Sequence, residues 1–320
     1  RKRFYTLRGL LNLNQELFDN SLKDFDSALK AGQDKKIIYV YIAQSHIGLQ
    51  QYEQALTALD SAKELQDTLP GIWLLRSNAM WQLKRYPPAW DVLLSAESKF
   101  PDNAAFPRTR LYYAIELGLY QEAVAIALGY FDRHEPGANE YVALADALRR
   151  SGEVDQALKF IELAKLRFPD NKNVYLAGAH SYLSKDQIYS AAEMLETGAV
   201  YHPGLYKDAA ELFRQHGDID RALYNNAKVS DSKEKLGQRL AMHLDSGSYD
   251  QIIAMQNDMI RTSMLEDQQY KYALAYAWFK LGDFDKAESE MTDISEPSLF
   301  RKTAELRKLM VTCGEQPWAC

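Results

Sequence analysis

The sequence lacks two features that would each indicate a class of partner. Lys and Arg number 38 against 44 Asp and Glu, so the formal net charge is −6 and there is no basic excess to attract nucleic acid. No apolar run approaches the roughly 18 residues of a membrane-spanning helix, and the stretch AVAIALGY at 123–130 is far shorter. We therefore expect no nucleic-acid partner and no membrane span in this chain.

The sequence motifs of common catalytic sites are also missing. There is no GxSxG nucleophile turn, no GxxxxGK phosphate loop and no zinc-binding HExxH. A metal site would need several histidines to converge, but the six histidines are scattered: His46, His134, His180, His202, His216 and His243. We expect no enzyme activity, no cofactor and no metal site.

What the sequence does have is a repeat with a period of about 34 residues. Over 141–170 the spacing predicts a helix, a tight turn and a second helix, marked by Tyr141, Leu144, Ala145, Gly152, Ala157, Ala164 and Pro169. Matching residues follow one period later at Tyr175, Ala179, Tyr182, Ala191 and Pro203. Such a period predicts stacked helical hairpins, because one hairpin cannot bury its own apolar face.

This pattern resembles the tetratricopeptide repeat, in which an aromatic residue, Leu, Gly or Ala, Tyr, Ala and Pro recur at set positions of a helical hairpin. Six units in register cover 2–205. Small residues at the eighth and twentieth positions, such as Ala43 and Ala55, let the paired helices approach closely. The resemblance implies an all-α, right-handed superhelical solenoid.

The repeat becomes irregular after Pro203. Three further hairpins can be recognised, and the segment 225–235 is polar enough to form a mobile joint. Residues 298–312 predict an amphipathic capping helix with Leu299, Ala304, Leu306 and Met310 on one side. We predict about nine hairpins in three parts: six regular repeats over 1–205, three irregular repeats over 206–297, and a capping helix with a Cys-containing tail over 298–320.

The resemblance implies a binding groove on the inner, concave wall, which the first helix of each hairpin lines. The residues at groove positions are Gln44, Asn78, Trp81, Arg108, Tyr112, Asp146 and Arg149. Such a lining suits a peptide whose backbone is held by side-chain amides and whose apolar side chain lies against an aromatic ring. The alternative is that these residues form only a solvated face.

The groove lacks the carboxylate clamp with which co-chaperones of this family bind the C-terminus of heat-shock proteins. That clamp uses Lys, Asn and Arg, whereas the corresponding pairs here are Thr6 with Leu10, Val40 with Gln44, and Leu74 with Asn78. We predict a non-enzymatic scaffold that binds a protein or peptide segment. We place it in a bacterial cell-envelope assembly for secretion, pilus formation, polysaccharide export, outer-membrane assembly or energy transduction.

Other functions stay open. The chain could be a regulatory or substrate-recruiting arm of an enzyme whose catalytic domain lies outside this sequence, or a cytoplasmic adaptor. Self-association as a homo-oligomer is also possible. Since the sequence starts with Arg1 rather than Met, we expect that residues precede it, which could include a signal peptide or a lipid anchor.

The two cysteines, Cys313 and Cys320, both lie in the final stretch CGEQPWAC. Two thiols provide only half of a zinc site, and their spacing is not that of a CxxC redox motif. They are either incidental reduced thiols of a cytoplasmic protein or a disulfide formed in an oxidising compartment. We favour the disulfide, because one terminal pair in an otherwise cysteine-free chain is what an oxidising periplasm would permit, and Gly314 and Pro317 suit the chain reversal. With the disulfide we favour a periplasmic location.

Overall fold

The computed structural model describes residues 1–315 and contains twenty α-helices. No β-strand occurs in this part of the chain, so the prediction of an all-α protein is confirmed. The chain divides into two compact units, the first covering Arg1–Glu153 and the second starting at Val154. None of the helices among the described residues is both long and apolar enough to cross a membrane.

Unit 1 is a stack of antiparallel helical hairpins. Its helices are α1 Lys2–Asn14, α2 Phe18–Lys30, α3 Ile37–Gly48, α4 Tyr52–Ser61, α5 Pro70–Gln82, α6 Tyr86–Lys99, α7 Ala105–Glu116, α8 Tyr120–Arg133 and α9 Ala138–Arg150. The pairs α1/α2, α3/α4, α5/α6 and α7/α8 form hairpins, and the second helix of each hairpin packs on the first helix of the next. The first helices α3, α5 and α7 therefore lie side by side.

Small residues allow the close packing inside these hairpins. Ala43 and Ala55, which mark the eighth and twentieth repeat positions, are both fully buried. At Gly9, a Cβ atom would lie only 2.6 Å from the ring of Phe25, which is itself fully buried. The larger side chain of one helix thus occupies space that the partner helix leaves open.

The turn inside each hairpin follows the same period as the side chains. In each of the first six repeats, a residue with positive φ follows the first helix. These residues are one period apart: Glu16, Gln50, Lys84, Gly118, Gly152 and Asp186. A left-handed residue ends a helix by redirecting the chain, and Gly adopts this conformation most readily. Here only two of the six are Gly, so the hairpin geometry imposes the conformation on the other four.

Unit 2 continues with hairpins that become less regular along the chain. Its helices are α10 Val154–Arg167, α11 Lys172–Leu183, α12 Ile188–Ala199, α13 Leu205–His216, α14 Ile219–Asn226, α15 Ser232–Asp245, α16 Tyr249–Ala254, α17 Gln256–Arg261, α18 Gln268–Lys280, α19 Phe284–Met291 and α20 Pro297–Glu315. The pairs α11/α12, α13/α14 and α18/α19 form hairpins, and α15 packs against the short α16. Because α9 and α10 fall in different units, the count of nine hairpins and the three-part division stay predictions.

The polar segment 225–235, which we expected to be a mobile joint, begins with two residues that are buried and hydrogen-bonded. Asn225 and Asn226 are both fully buried. The Asn225 amide donates to Glu196 Oε1 at 2.7 Å, and the Asn226 amide donates to the Lys235 carbonyl at 2.9 Å. These hydrogen bonds anchor the start of the expected mobile joint to the neighbouring helices.

The predicted capping helix is present as α20, which packs on α18 and α19. Its buried face contains Leu299, Thr303, Leu306 and Cys313. Ala304, which we expected on this face, is exposed because Thr303 faces the core in its place. Cys320 lies outside the described residues, so the disulfide with Cys313 stays a prediction.

Candidate functional site

An open pocket of about 700 Å³ lies on the face of unit 1 that the first helices α3, α5 and α7 form together. Its apolar lining includes Val40 from α3, Leu74 and Leu75 from α5, and Tyr113 from α7. Polar side chains from the same three helices complete the wall: Gln44, Asn78, Thr109 and Tyr112. The pocket therefore combines apolar surface with a few polar groups, which is typical of binding sites for organic ligands and peptides.

Three of the seven predicted groove residues meet at this pocket. Gln44, Asn78 and Tyr112 stand at the ninth position of three consecutive repeats, and the stacking of α3, α5 and α7 brings them into one row. The Gln44 and Asn78 side chains are half-buried, and neither amide takes part in a hydrogen bond with another group of residues 1–315. Each amide can both donate and accept, which is what a peptide backbone requires of its partner.

Tyr112 presents a partly exposed ring at one end of this row. Its side chain is 39% exposed. Burial of the rest of the side chain raises the pKa of its phenol, and the nearby Glu140 carboxylate raises that pKa further. The hydroxyl therefore stays protonated at neutral pH and can donate a hydrogen bond to a ligand.

Arg108, one turn before Tyr112 in α7, is already paired. Its Nε lies 2.9 Å from Glu140 Oε1, and its Nη2 donates to the Tyr130 hydroxyl at 3.0 Å. The hydrogen bond with Tyr130 is the main reason why the pKa of Arg108 is raised. Glu140 is buried and also accepts a hydrogen bond from the Gly137 backbone N–H at 2.9 Å. Arg108 thus joins α7 to the start of α9, and it does not line the pocket.

Trp81 occupies a different place from the one its repeat position predicts. Its side chain is only 4% exposed and is stacked on Tyr113, with ring centroids 3.6 Å apart and an interplanar angle of 9°. The indole Nε1 donates to Glu116 Oε2 at 3.0 Å. Because Tyr113 lines the pocket, Trp81 lies behind the pocket wall and supports it without reaching the ligand side.

Asp146 and Arg149 also lie away from the pocket, on α9. Arg149 Nη2 donates to Asp146 Oδ1 at 2.5 Å, and Arg150 Nε donates to Asp146 Oδ2 at 2.8 Å. Arg150 reaches back to the Tyr120 hydroxyl at 3.0 Å. These charges satisfy one another on a single helix and its neighbour, so the structure separates them from the row of Gln44, Asn78 and Tyr112.

Sequence reasoning missed the residues that give the pocket its apolar surface. Leu75 and Thr109 stand at the sixth repeat position, and Tyr113 stands at the tenth. These two positions directly follow the fifth and the ninth, which were assigned to the groove. Val40 and Leu74, at the fifth position, were considered from the sequence only as residues that cannot form a carboxylate clamp. The available signal was that these fifth positions are apolar in two adjacent repeats, which indicates a ligand with an apolar side chain.

Ion pairs join α13 and α15, two helices of unit 2. Lys207 of α13 pairs with Glu234 of α15, and Arg214 of α13 pairs with Asp245 of α15. Arg214 also holds Glu211 at 2.7 Å, and this contact lowers the pKa of the Glu211 carboxyl. These charges are therefore neutralised within the protein.

The described residues contain no group of three or more His, Cys, Asp or Glu side chains that could hold a metal ion. The His46 ring nitrogen Nδ1 lies 2.8 Å from Gln51 Oε1, and the His202 Nε2 lies 2.6 Å from the Asp170 carbonyl oxygen. Both contacts join neighbouring segments of the solenoid, which gives these two histidines a structural role.

Comparison with known proteins agrees with the architecture. No protein-family profile matches the chain. The chain is 24% identical over 298 residues to the TPR repeat-containing protein YpiA of Bacillus subtilis, an alignment that covers 78% of this chain and 68% of that protein. Among solved structures it is similar to the C-terminal part of a TPR repeat-containing protein from Cytophaga hutchinsonii, with a TM-score of 0.60 and 12% identity over 73% of this chain and 98% of that one.

A tetratricopeptide repeat protein from Parabacteroides merdae is also similar, with a TM-score of 0.53 and 12% identity over 75% of this chain and 98% of that one. These likenesses agree with the hairpin stacking and the 34-residue period described above. The fold is that of a tetratricopeptide-repeat solenoid, and the resemblance drawn from the sequence is confirmed.

Proposed function

We propose that this chain is a non-catalytic scaffold that binds an extended segment of a partner protein in the pocket of unit 1. The observation that carries the proposal is the apolar pocket bordered by the Gln44 and Asn78 amides, which lack partners among the described residues. Half-buried amides without partners lose part of their hydration, and a ligand backbone can restore those hydrogen bonds.

The geometry favours a peptide with a bulky apolar side chain. Such a side chain fits against Leu74 and Leu75, with the Tyr112 ring at the edge of the site. A pocket of about 700 Å³ is larger than one side chain, so it holds an anchor together with its neighbouring backbone. Gln44 and Asn78 lie in a row along the stack, which matches the direction of an extended strand crossing α3, α5 and α7.

The wall of this site is preorganised for binding. The Trp81 ring lies directly behind Tyr113, and the Arg108 to Glu140 ion pair holds α7 against the start of α9. A wall whose side chains are already fixed loses little conformational entropy on binding. This makes the pocket a better place for a peptide than the ion-paired face of α13 and α15.

The cellular setting is part of the same proposal. The absence of catalytic motifs in the sequence supports a scaffold, and the pairing proposed for Cys313 and Cys320 supports a periplasmic location. We propose that the partner belongs to a cell-envelope assembly, as expected from the sequence. A homo-oligomer is compatible with this role.

A peptide-display selection against the whole chain tests the binding site. We expect the selected peptides to share a large apolar residue and to lose at least about 1 kcal/mol of binding free energy in Tyr112→Ala, as truncated aromatic anchors do. Asn78→Leu should weaken the same peptides, because it removes one backbone partner while keeping the size of the side chain. Tyr201→Ala is the matched control, since Tyr201 is 51% exposed and lies outside the pocket.

Both pocket variants should keep their helical content, which circular dichroism measures. If the selected peptides bind Tyr112→Ala and Asn78→Leu as tightly as they bind the unaltered chain, the ligand occupies another surface. An equal loss in Tyr201→Ala would also contradict the assignment of the pocket.

A further inference from the structure

A second open pocket, of about 560 Å³, adjoins the peptide pocket of unit 1. It lies over the loop between α6 and α7, and we call it the edge pocket. Its lining consists of Pro70 and of the residues from Lys99 to Ala104. Pro70, the first residue of α5, lines both pockets. A ligand chain that leaves the peptide pocket across Pro70 therefore enters the edge pocket.

The loop that forms the edge pocket is held by its own hydrogen bonds. The Asn103 backbone N–H donates to the Phe100 carbonyl at 3.0 Å, and the Asn103 side-chain Oδ1 accepts a hydrogen bond from the Ala105 N–H at 3.0 Å. The Phe100 ring also lies beside the fully buried Phe106, with ring centroids 6.2 Å apart. A ligand therefore meets a surface whose shape is already fixed, so little conformational entropy is lost on binding.

The two pockets differ in charge. Among the described residues, no charged side chain lines the peptide pocket, whereas Lys99 and Asp102 line the edge pocket. Lys99 forms an ion pair with Asp67, so its positive charge is already balanced. Asp102 is exposed and takes part in no hydrogen bond or ion pair through its side chain with another group of residues 1–315. The edge pocket therefore offers a ligand one carboxylate that lacks an ion-pair partner.

A carboxylate beside an apolar site selects a ligand with a positive charge at the matching place. In an extended chain, side chains on one face recur every two residues, and each residue adds about 3.3 Å. An anchor in the peptide pocket and a side chain beyond Pro70 are therefore two or four residues apart. The ammonium group of Lys and the guanidinium group of Arg pair with a carboxylate, whereas an acidic residue at that place would be repelled by Asp102.

We infer that the partner segment carries Lys or Arg two or four residues from its bulky apolar anchor, and that this cation pairs with Asp102 in the edge pocket. The inference rests on the proposed function, since the anchor must occupy the pocket of α3, α5 and α7. It adds a charge preference and a direction, because the segment leaves that pocket across Pro70 toward the start of α7.

A display library of nine-residue peptides tests this inference. Leu, Phe or Trp is fixed at the central position and the other positions are random. The selection against the whole chain is run in low salt, because salt screens exposed ion pairs. We expect Lys and Arg to be enriched at a position two or four residues from the centre. Replacing that cation by Glu should weaken binding by about fivefold or more, because an exposed ion pair is lost and a repulsion takes its place.

Asp102→Lys is the decisive variant. A selection against it should enrich Asp or Glu at the position where the unaltered chain enriches Lys or Arg. Asp132→Lys is the matched control, since Asp132 is also exposed, lies outside both pockets and gives the same change in net charge. The control should keep the preference for Lys or Arg. Circular dichroism should show the same helical content in both variants and in the unaltered chain.

The outcomes separate this inference from the proposed function. The inference is wrong if the selected peptides show no preference for Lys or Arg, if the preference persists in Asp102→Lys, or if it also reverses in Asp132→Lys. In those cases the proposed function stands as long as Tyr112→Ala and Asn78→Leu weaken the selected peptides. If these two variants bind the peptides as tightly as the unaltered chain does, or if the selection yields no binding peptide, the proposed function fails and the inference fails with it.

Discussion

Trp81 provides the sharpest test of the pocket geometry, because its repeat position predicts a ligand contact and its burial predicts a structural role. The side chain is 4% exposed, lies against Tyr113 with ring centroids 3.6 Å apart, and donates to Glu116. Tyr86 also packs on it at a centroid distance of 4.7 Å. Replacing Trp81 therefore removes packing between α5, α6 and α7.

The expected cost can be estimated from these contacts. Removing a buried Trp side chain by Trp81→Ala costs about 3–5 kcal/mol, because the lost apolar contacts leave a cavity. The aromatic stacking accounts for about 0.5–1.5 kcal/mol of such losses. Trp81→Phe keeps an aromatic ring against Tyr113 but loses the hydrogen bond from the indole to Glu116. Because Glu116 is exposed, its carboxylate can form a hydrogen bond with water instead. We expect that variant to lose about 1–2 kcal/mol.

Urea unfolding of the whole chain, followed by circular dichroism at the helix band, measures these losses. Because the chain has two compact units, the transition that shifts should be the one belonging to unit 1, and it should be analysed separately. Tyr112→Ala is the companion variant and should cost about 1 kcal/mol or less, since Tyr112 is 39% exposed.

Binding of the selected peptides should show the reverse order. Tyr112→Ala should weaken binding strongly while leaving the fold intact, and Trp81→Phe should bind peptides nearly as well as the unaltered chain. If Trp81→Ala unfolds at the same urea concentration as the unaltered chain and still loses peptide binding, then Trp81 contacts the ligand and the burial argument is wrong.

Two further predictions concern packing and the C-terminal cysteines. Gly198→Ala should lower the melting temperature, because the new Cβ would lie 2.5 Å from Cγ of the buried Tyr175. Such overpacking costs about 1–3 kcal/mol, which outweighs the gain of about 1 kcal/mol in helix propensity. Gly129→Ala is its matched control and should raise stability by about 0.5–1 kcal/mol, since no atom lies closer than 3.8 Å to the new Cβ. If Cys313 and Cys320 form a disulfide, protein alkylated without reductant in its native compartment will gain no label by intact mass, whereas two labelled thiols would remove most of the case for a periplasmic location.

The fold was predictable because the repeat period depends on many residues at once. Ala43 and Ala55 are fully buried at the helix contacts where the pattern places them. The turns keep the same register even where Gln50 and Lys84 replace Gly. A period supported by small residues, aromatic residues and turns survives substitutions at single positions, which is why hairpin stacking can be recognised without a single conserved motif.

The site was only partly predictable, because a repeat position fixes where a Cα lies and not what its side chain meets. Trp81 stands at a position assigned to the groove, yet its large ring stacks on Tyr113 from the next repeat. Arg108 stands at another, and Glu140 from α9, in the next repeat, binds it. Both outcomes depend on residues one repeat further along, which a position-by-position analysis does not consider.

Whether a groove residue can bind a ligand therefore depends on whether a neighbouring repeat has already satisfied it. On α3, α5 and α7 the ninth position holds Gln44, Asn78 and Tyr112, which lie beside apolar side chains. On α9 it holds Asp146, whose carboxylate Arg149 and Arg150 bind. When α13 is aligned with α7 on the glycine of the following turn, the ninth position holds Glu211, and Arg214 binds its carboxylate. Neutral polar side chains in apolar surroundings keep their hydrogen-bonding capacity for a ligand, while charged ones recruit an opposite charge from within the protein. The same solenoid position thus keeps its hydrogen-bonding groups available on α3, α5 and α7 and is ion-paired on α9 and α13, and the difference follows from whether the side chain at that position is neutral or charged.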